Sequence, residues 1–374
     1  MLDGSRAVYD RGAMSEIQIQ IARRRLILGI TNVGFWVAAS IACLAWISIL
    51  PEGSINHLRL FKIVLGTLTI QSVFDFVGGA VLIPPPRAAY PQFFRIWSRG
   101  MLVHSALLCG TGFLSYYSYQ LANGFYLSVT AASLCLFFFR RQILYWVSGA
   151  RTRPAPFGGS LGWEVDSSDP SFTGGTTGIG PWAMFLLPAS WKTKLTAEQS
   201  QTVIDRRLWE IRNNLPARSL LISLSWNLAG CKIGAVLLGL SGRPVEEAII
   251  MQSSWMTLWG FLALLLLPSF SRSSVFGADR AALAHGRDAR DWIKKFPSLT
   301  GEDGNSKTVI QRVFYPIPSS VERLQSIENP RPTVALGNIA RSNLFLSLAT
   351  LTILGRCVHC NVGRPELWIF PPSD

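Results

Sequence analysis

The stretch LTAEQSQTVIDRRLWEIRNN, Leu195–Asn214, decides how this sequence is read. Thr196 is placed to cap a helix, with Gln199 three residues on as its reciprocal partner. The helix runs to about Leu215 and stops before Pro216, which cannot continue it. Val203, Ile204, Leu208 and Ile211 give it one apolar side. Arg206 and Glu210 stand one turn apart, so the two side chains can pair. These features alone describe a soluble amphipathic helix.

The rest of the chain is not that of a soluble protein. Of 374 residues 49% are hydrophobic and only 15% charged, where a soluble protein carries about a quarter charged residues. The missing charge is concentrated in long runs. Leu26–Leu50, Gly100–Phe139 and Ala248–Ser271 hold no charged residue; Ile63–Ile83 holds only Asp75, and Ser219–Leu240 only Lys232. A membrane helix needs roughly 20 apolar residues, so Gly100–Phe139 holds two, with a turn near Gln120, Asn123 and Gly124, and the chain reads as about six spans. Arg23–Arg25, Arg87, Arg95, Arg99, Arg140, Arg141, Arg218 and Arg272 flank the spans on one side, while PEGSINH and SGRPVEE on the other carry little positive charge. That asymmetry places the N-terminus and the soluble segments in the cytoplasm, at the plasma (inner) membrane if the chain is bacterial. The first apolar run is too long for a cleavable signal and reads as a retained span. The net charge of +13 is what such a protein accumulates. Without basic clusters interleaved with aromatics, it gives no ground for a nucleic-acid partner.

The expected organisation is a cytoplasmic arm (1–25), a four-helix membrane region (26–141), a soluble segment (142–218), a transmembrane hairpin (219–271) and a second soluble part with a C-terminal tail (272–374). Pro84–Arg87 breaks the chain after the second span, and a loop is expected near FPSLTGEDGNSK. Ser342–Gly355 gives about 21 Å of helix, short for a span, and is expected to be buried or interfacial. Asp75 and Lys232, both inside spans, are candidates for one ion pair. His104 is expected as a hydrogen-bonded helix contact, and His285 as an exposed helix end. Cys357 and Cys360 form CVHC around His359, but a zinc site needs about four ligands and no second pair exists. GGTTGIG, Gly174–Gly180, lacks the Lys-Ser/Thr ending of a phosphate loop.

Four fragments together resemble a family. The lead-in LTxExxxVI, with Glu198, then five positions and Ile211, is similar to membrane-embedded zinc metallopeptidases of the HtpX and CAAX-prenyl-protease type. There the five positions read HExxH: two His on one helix face bind zinc and the Glu activates water. Here they are Arg206, Arg207, Leu208, Trp209 and Glu210. Downstream of the hairpin, SRSSVFGAD keeps Ser271, Arg272, Ala278 and Asp279 of a pattern like SRxxExxAD, with Val275 where the third ligand stands. Asp279, retained where its partner is gone, is expected to be structural and to bond to the helix around Arg206. IPSSVERL keeps Pro318 and Arg323 of a later motif, with Ile317 in place of its His. FTGGTTGIGPWAMFLLP resembles the Gly-rich turn and apolar edge strand along which the family lays substrate; Gly174, Gly175 and Trp182 mark that groove.

The resemblance implies a mainly α polytopic membrane protein with an α+β gluzincin-like cytoplasmic domain. It also implies lost chemistry. Arg is permanently charged and has no lone pair to give a metal, and only Glu210 could still coordinate. The expectation is a pseudopeptidase in the lipid bilayer, without a cofactor. It would bind a membrane-protein client or regulate an active homologous protease. An Arg206–Glu210 pair, packed by Val275, would fill the metal cavity. Two rivals stand beside it: an active zinc metalloendopeptidase with Glu210, His285 and His359 as ligands, and a transporter or scaffold unrelated to peptidases.

Overall fold

Long uncharged runs become long helices because a backbone surrounded by lipid must satisfy its own hydrogen bonds. The computed structural model describes residues 4–82, 87–121, 124–157, 160–300, 317–330 and 334–371. The Pro84–Pro86 break, Asn123 and most of the loop after Thr300 lie outside them. Helix α1 (Gly4–Ile49) runs unbroken through the expected arm into the first span. Helix α2 (His57–Phe76), capped by the Asn56 side chain on Arg59 N at 3.0 Å, continues as a π-turn over Val77–Val81. Helices α3 (Tyr90–Ser118) and α4 (Gly124–Phe138) follow, joined by Ser115 and Ser128 at 3.2 Å. Helix α5 (Arg140–Ser148) leaves α4 at a bend of 72°.

Four helical stretches are long and apolar enough to cross a membrane: Gln20–Ile49, His57–Val81, Leu215–Leu237 and Val245–Ala284; the bent α4–α5 pair makes up to five. The expectation of about six is thus not met among the described residues. Helix α3 has the length, at 29 residues, but His104, Thr111 and Ser115 dilute its apolar run.

The soluble layer begins with a sheet: β1 (Arg151–Phe157), β2 (Ser160–Asp166), β3 (Gly175–Thr177) and β4 (Met184–Pro188), in the order β1-β2-β4-β3. β2 pairs β4 in parallel, with Trp163 opposite Leu186, and β3 pairs β4 antiparallel, with Thr176 opposite Phe185. The apolar strand MFLLP, expected at the edge, is therefore internal; the short β3 is the edge on that side. Helices α6 (Trp191–Lys194) and α7 (Ala197–Arg212) lead into the hairpin of α8 (Leu215–Leu237) and α9 (Val245–Ala284). Helix α9 runs on past its apolar stretch, and α10 (Ala289–Thr300) and α11 (Ser320–Glu328) pack on it.

The C-terminal segment is no surface tail. Helices α12 (Ile339–Leu346), α13 (Leu354–Cys357) and α14 (Pro365–Ile369) are short, buried and separated by turns. Ser342–Gly355 is buried, as several pieces rather than one helix. Phe345, Leu346, Trp368 and Phe370 join Leu144 and Val147 of α5 and Leu186 of β4 in the largest apolar cluster. This segment also takes the intramembrane charge. Asp75 pairs with Arg356, both buried, and its Oδ1 accepts the Gly363 N–H at 3.2 Å. The expected Asp75–Lys232 pair is not formed; Lys232 Nζ lies 6.0 Å from the Tyr126 ring centre. His104 packs edge-on against Trp368, centroids 5.0 Å apart, and neither ring nitrogen has a hydrogen-bond partner. Its expected helix-to-helix hydrogen bond is replaced by a ring contact.

Candidate functional site

The decisive helix forms as its sequence specifies. Gln199 N donates to Thr196 Oγ1 at 3.2 Å, and Thr196 N donates to Gln199 Oε1 at 3.1 Å. At the other end Asn214 adopts φ 53° and turns the chain directly into α8. Between these fixed ends α7 buries Val203, Ile204, Arg206, Arg207 and Glu210. Close approach to α9 is permitted by Gly277, where a Cβ would come within 2.4 Å of the Trp209 indole.

Arg206 and Arg207 are wholly buried, and Glu210 is 6% exposed. Arg206 pairs with Asp279 of α9. Asp279 is also gripped by Arg323 of α11, whose Nε donates to Oδ2 at 2.8 Å and Nη2 to Oδ1 at 2.6 Å. Glu210 instead meets Arg207, with Nη1 to Oε2 at 3.3 Å, and accepts from Thr176 Oγ1 of β3 at 2.9 Å. Arg207 also donates to the Thr173 carbonyl at 3.3 Å. The expected Arg206–Glu210 pair is therefore replaced by two pairs. Helix spacing leaves Glu210 within reach of either arginine; Asp279 of α9 takes Arg206, while the Thr173 carbonyl and Thr176 hold Arg207 and Glu210 toward the sheet.

The other motif positions fall around this cluster. Val275 is buried on α9, one turn before Asp279 on the same side. Arg272 Nη2 reaches Glu322 Oε1 at 2.6 Å, and Glu322 also caps α11, accepting the Ser319 N–H at 2.9 Å. Burial opposes ionisation of Glu322, but the Arg272 guanidinium and the Ser319 hydrogen bonds together outweigh it and hold the carboxyl below its ordinary range. Ile317 is buried in an apolar cluster with Val203, Ile204 and Trp292. Glu198 sits exposed in the first turn of α7.

The expected groove is split. Gly174, at φ +74°, leaves no room for a Cβ, which would lie on the Leu186 carbonyl oxygen. Gly175 faces the chain's own Phe370, 3.1 Å from where its Cβ would be. Trp182 is 72% exposed and separate. The cavity bounded by Gly174–Thr176, Glu210 and Phe370 holds about 30 Å³, roughly the share of one water molecule in the liquid. Arg140 secures this closure, donating from Nε to the Ile369 carbonyl at 2.7 Å with its guanidinium 4.4 Å from the Phe370 ring centre.

The structure is similar to that of S. mikatae Ste24p, with a TM-score of 0.56 at 11% identity, covering 80% of this chain and 81% of that chain. The chain shares the Ste24p fold. No family profile matches the chain, and no curated protein matches it in sequence. At 11% identity the likeness is one of fold.

On this Ste24p-like frame the residues at the motif positions do not fit a zinc ion. Zinc takes thiolate, imidazole or carboxylate donors, and two guanidiniums offer only positive charge. Glu210, the remaining donor, is engaged by Arg207 and Thr176. The alternative ligands are not brought together. His285 is exposed at the end of α9, with Nδ1 2.7 Å from the Ala281 carbonyl oxygen; His359 lies against α1 at Gly29. Among the described residues no three His, Cys, Asp or Glu side chains are grouped to hold a metal. Two features escaped the sequence reading. Arg323 and Asp279 were each visible in a motif, but their bidentate pairing was not. The closing role of Phe370 left no local signal.

Proposed function

We propose that this chain is a catalytically silent member of the membrane peptidase fold. Its role is then to bind a membrane-protein client or to modulate an active protease of the same fold. The observation that carries the reading is Arg206, wholly buried and paired with Asp279, where the resemblance calls for the first metal ligand. Arg207 stands in place of the general base and holds Glu210, and buried Val275 stands where the third ligand is called for. The small cavity beside Glu210 supports it, since an extended peptide needs far more room. The test is metal content of the detergent-purified full chain by elemental mass spectrometry, paired with proteolysis assays with and without chelator. Substoichiometric zinc and no chelator-sensitive cleavage are expected. Near one equivalent of zinc, or cleavage abolished by chelator, overturns the reading. The modulating role is read separately, by co-reconstituting the chain with an active protease of this fold and measuring the change in its turnover.

A further inference from the structure

A cavity of about 450 Å³ opens between the start of α1, α3 and the C-terminal segment. Its wall combines Arg25, Lys194 and Arg364 with Phe93, Ile96 and Trp97. Two donors in it, Arg25 Nε and Trp97 Nε1, are shielded from solvent and have no hydrogen-bond partner. The acids in the wall are already engaged. Asp169 is clamped by Arg364, with Nε to Oδ2 at 2.7 Å. Glu366 accepts from Ser167 and from Ser168 Oγ at 3.1 Å, and burial pushes its carboxyl above the ordinary range. The uncommitted charge in the cavity is therefore positive.

His359 and Cys360 also line a second cavity, of about 200 Å³, farther along α1. Its character is the opposite. Gly29, Val33 and Gly34 of α1 face Phe261, Leu264 and Pro268 of α9. A Cβ at Gly34 would meet nothing within 4 Å, so the absent side chain leaves open space. From Arg25 to Val33 the helix rises about 12 Å. A cationic mouth with one indole donor and an apolar slot thus follow one another along α1, with His359 packed on Gly29 at the step between them.

We propose that the chain binds one anionic phospholipid here, its phosphate at Arg25 and Trp97 and one acyl chain in the slot between α1 and α9. The sequence of chemistries along α1 matches that of a phospholipid crossing from headgroup to tail. Basic pockets at the ends of membrane helices recognise anionic headgroups in this way, and a half-buried guanidinium whose Nε has no hydrogen-bond partner favours a phosphate. Arg23 and Arg24, both exposed beside Arg25, add only long-range attraction.

The test is native mass spectrometry of the full chain in detergent, titrated with phosphatidylglycerol and, separately, with phosphatidylcholine of the same acyl chains. Phosphatidylglycerol should be retained on the order of tenfold more strongly, because both lipids carry the phosphate but the choline ammonium brings a further positive charge to a wall that already holds Arg25, Lys194 and Arg364. Arg25→Gln should bring it down to the phosphatidylcholine level, and Arg25→Lys should restore part of the difference. Gly34→Leu, which fills the slot without touching the headgroup site, should weaken both lipids alike. Equal retention of the two lipids by the wild type overturns the proposal, as does undiminished phosphatidylglycerol binding by Arg25→Gln. If inorganic phosphate competes fully and Gly34→Leu changes nothing, the site takes free phosphate and the lipid assignment fails.

Discussion

Two regions of this molecule bury arginine, and they do so in opposite ways. Around Asp279, guanidiniums from α7 and α11 converge on one carboxylate. Around Arg25, a guanidinium lines a cavity of about 450 Å³ with its Nε unpartnered. In the first region the charges pair within the chain. The second is complete only with something added. A buried charge is costly unless paired, so the first region reads as structural and the second as a binding site.

The sharpest way to break the comparison is Asp279→Ala. It strips the shared acceptor from Arg206 and Arg323, both at most 1% exposed. Removing one partner of a buried pair costs about 3–5 kcal/mol, and thermal unfolding in detergent should show a loss of that order. An unchanged melting temperature would mean that the cluster is not what joins α7, α9 and α11.

The Asp75–Arg356 pair offers a control of the same kind inside the membrane layer. Asp75→Leu alone should destabilise by about 3 kcal/mol, because Arg356 is left buried with its charge. Adding Arg356→Met should recover most of that, since well-packed apolar replacements of a buried pair are often neutral. A double variant as unstable as the single would show that the pair does more than cancel its own charges.

Glu210→Ala is expected to cost less, about 1–3 kcal/mol. Arg207 loses its carboxylate but keeps the Thr173 carbonyl, and Thr176 loses one acceptor. If this variant melts with the wild type, the Arg207–Glu210 pair contributes nothing to closing that end of the site.

These effects also separate what could be read in the sequence from what could not. The α7 cap, its length and its stop were legible because Thr196, Gln199 and Pro216 act locally. The apolar runs were legible because each carries its own hydrogen bonds. The partners of the charges were legible only in part. Asp279 was expected against the helix around Arg206, but not that it would take Arg206 from Glu210; and Asp75 chose Arg356 over Lys232, because partners far apart in the chain are fixed by packing and leave no spacing to read. The C-terminal segment misled for the same reason. Ser342–Gly355 is too short to span, yet it lies at the centre because Arg356, Trp368 and Phe370 each find a partner on another element.

The acid side of the lipid cavity gives a smaller, pH-dependent effect. Burial alone would raise the Asp169 carboxyl, but the Arg364 guanidinium outweighs it and holds it below the ordinary 3.8. A depressed folded-state value stabilises the fold above the unfolded value, and the contribution is lost as pH falls through the folded one. The melting temperature of wild type minus that of Asp169→Asn should therefore be flat above about pH 5 and shrink in acid. A gap that widens in acid would reverse the assignment.

The smallest expected change is the most telling. In lipid-free detergent, Arg25→Gln should shift stability by no more than about 0.5 kcal/mol in either direction, as for a site with no partner to lose. Glutamine keeps a polar end in the cavity and removes a cation whose partial burial has a desolvation cost and no hydrogen bond to offset it. Phosphatidylglycerol should reveal the difference, raising the melting temperature of the wild type and leaving the variant where it was. If Arg25→Gln instead costs as much as Asp279→Ala without any lipid present, Arg25 already has its partner within the chain. The two regions would then be alike, and the cavity beside α1 would be a consequence of packing rather than a site.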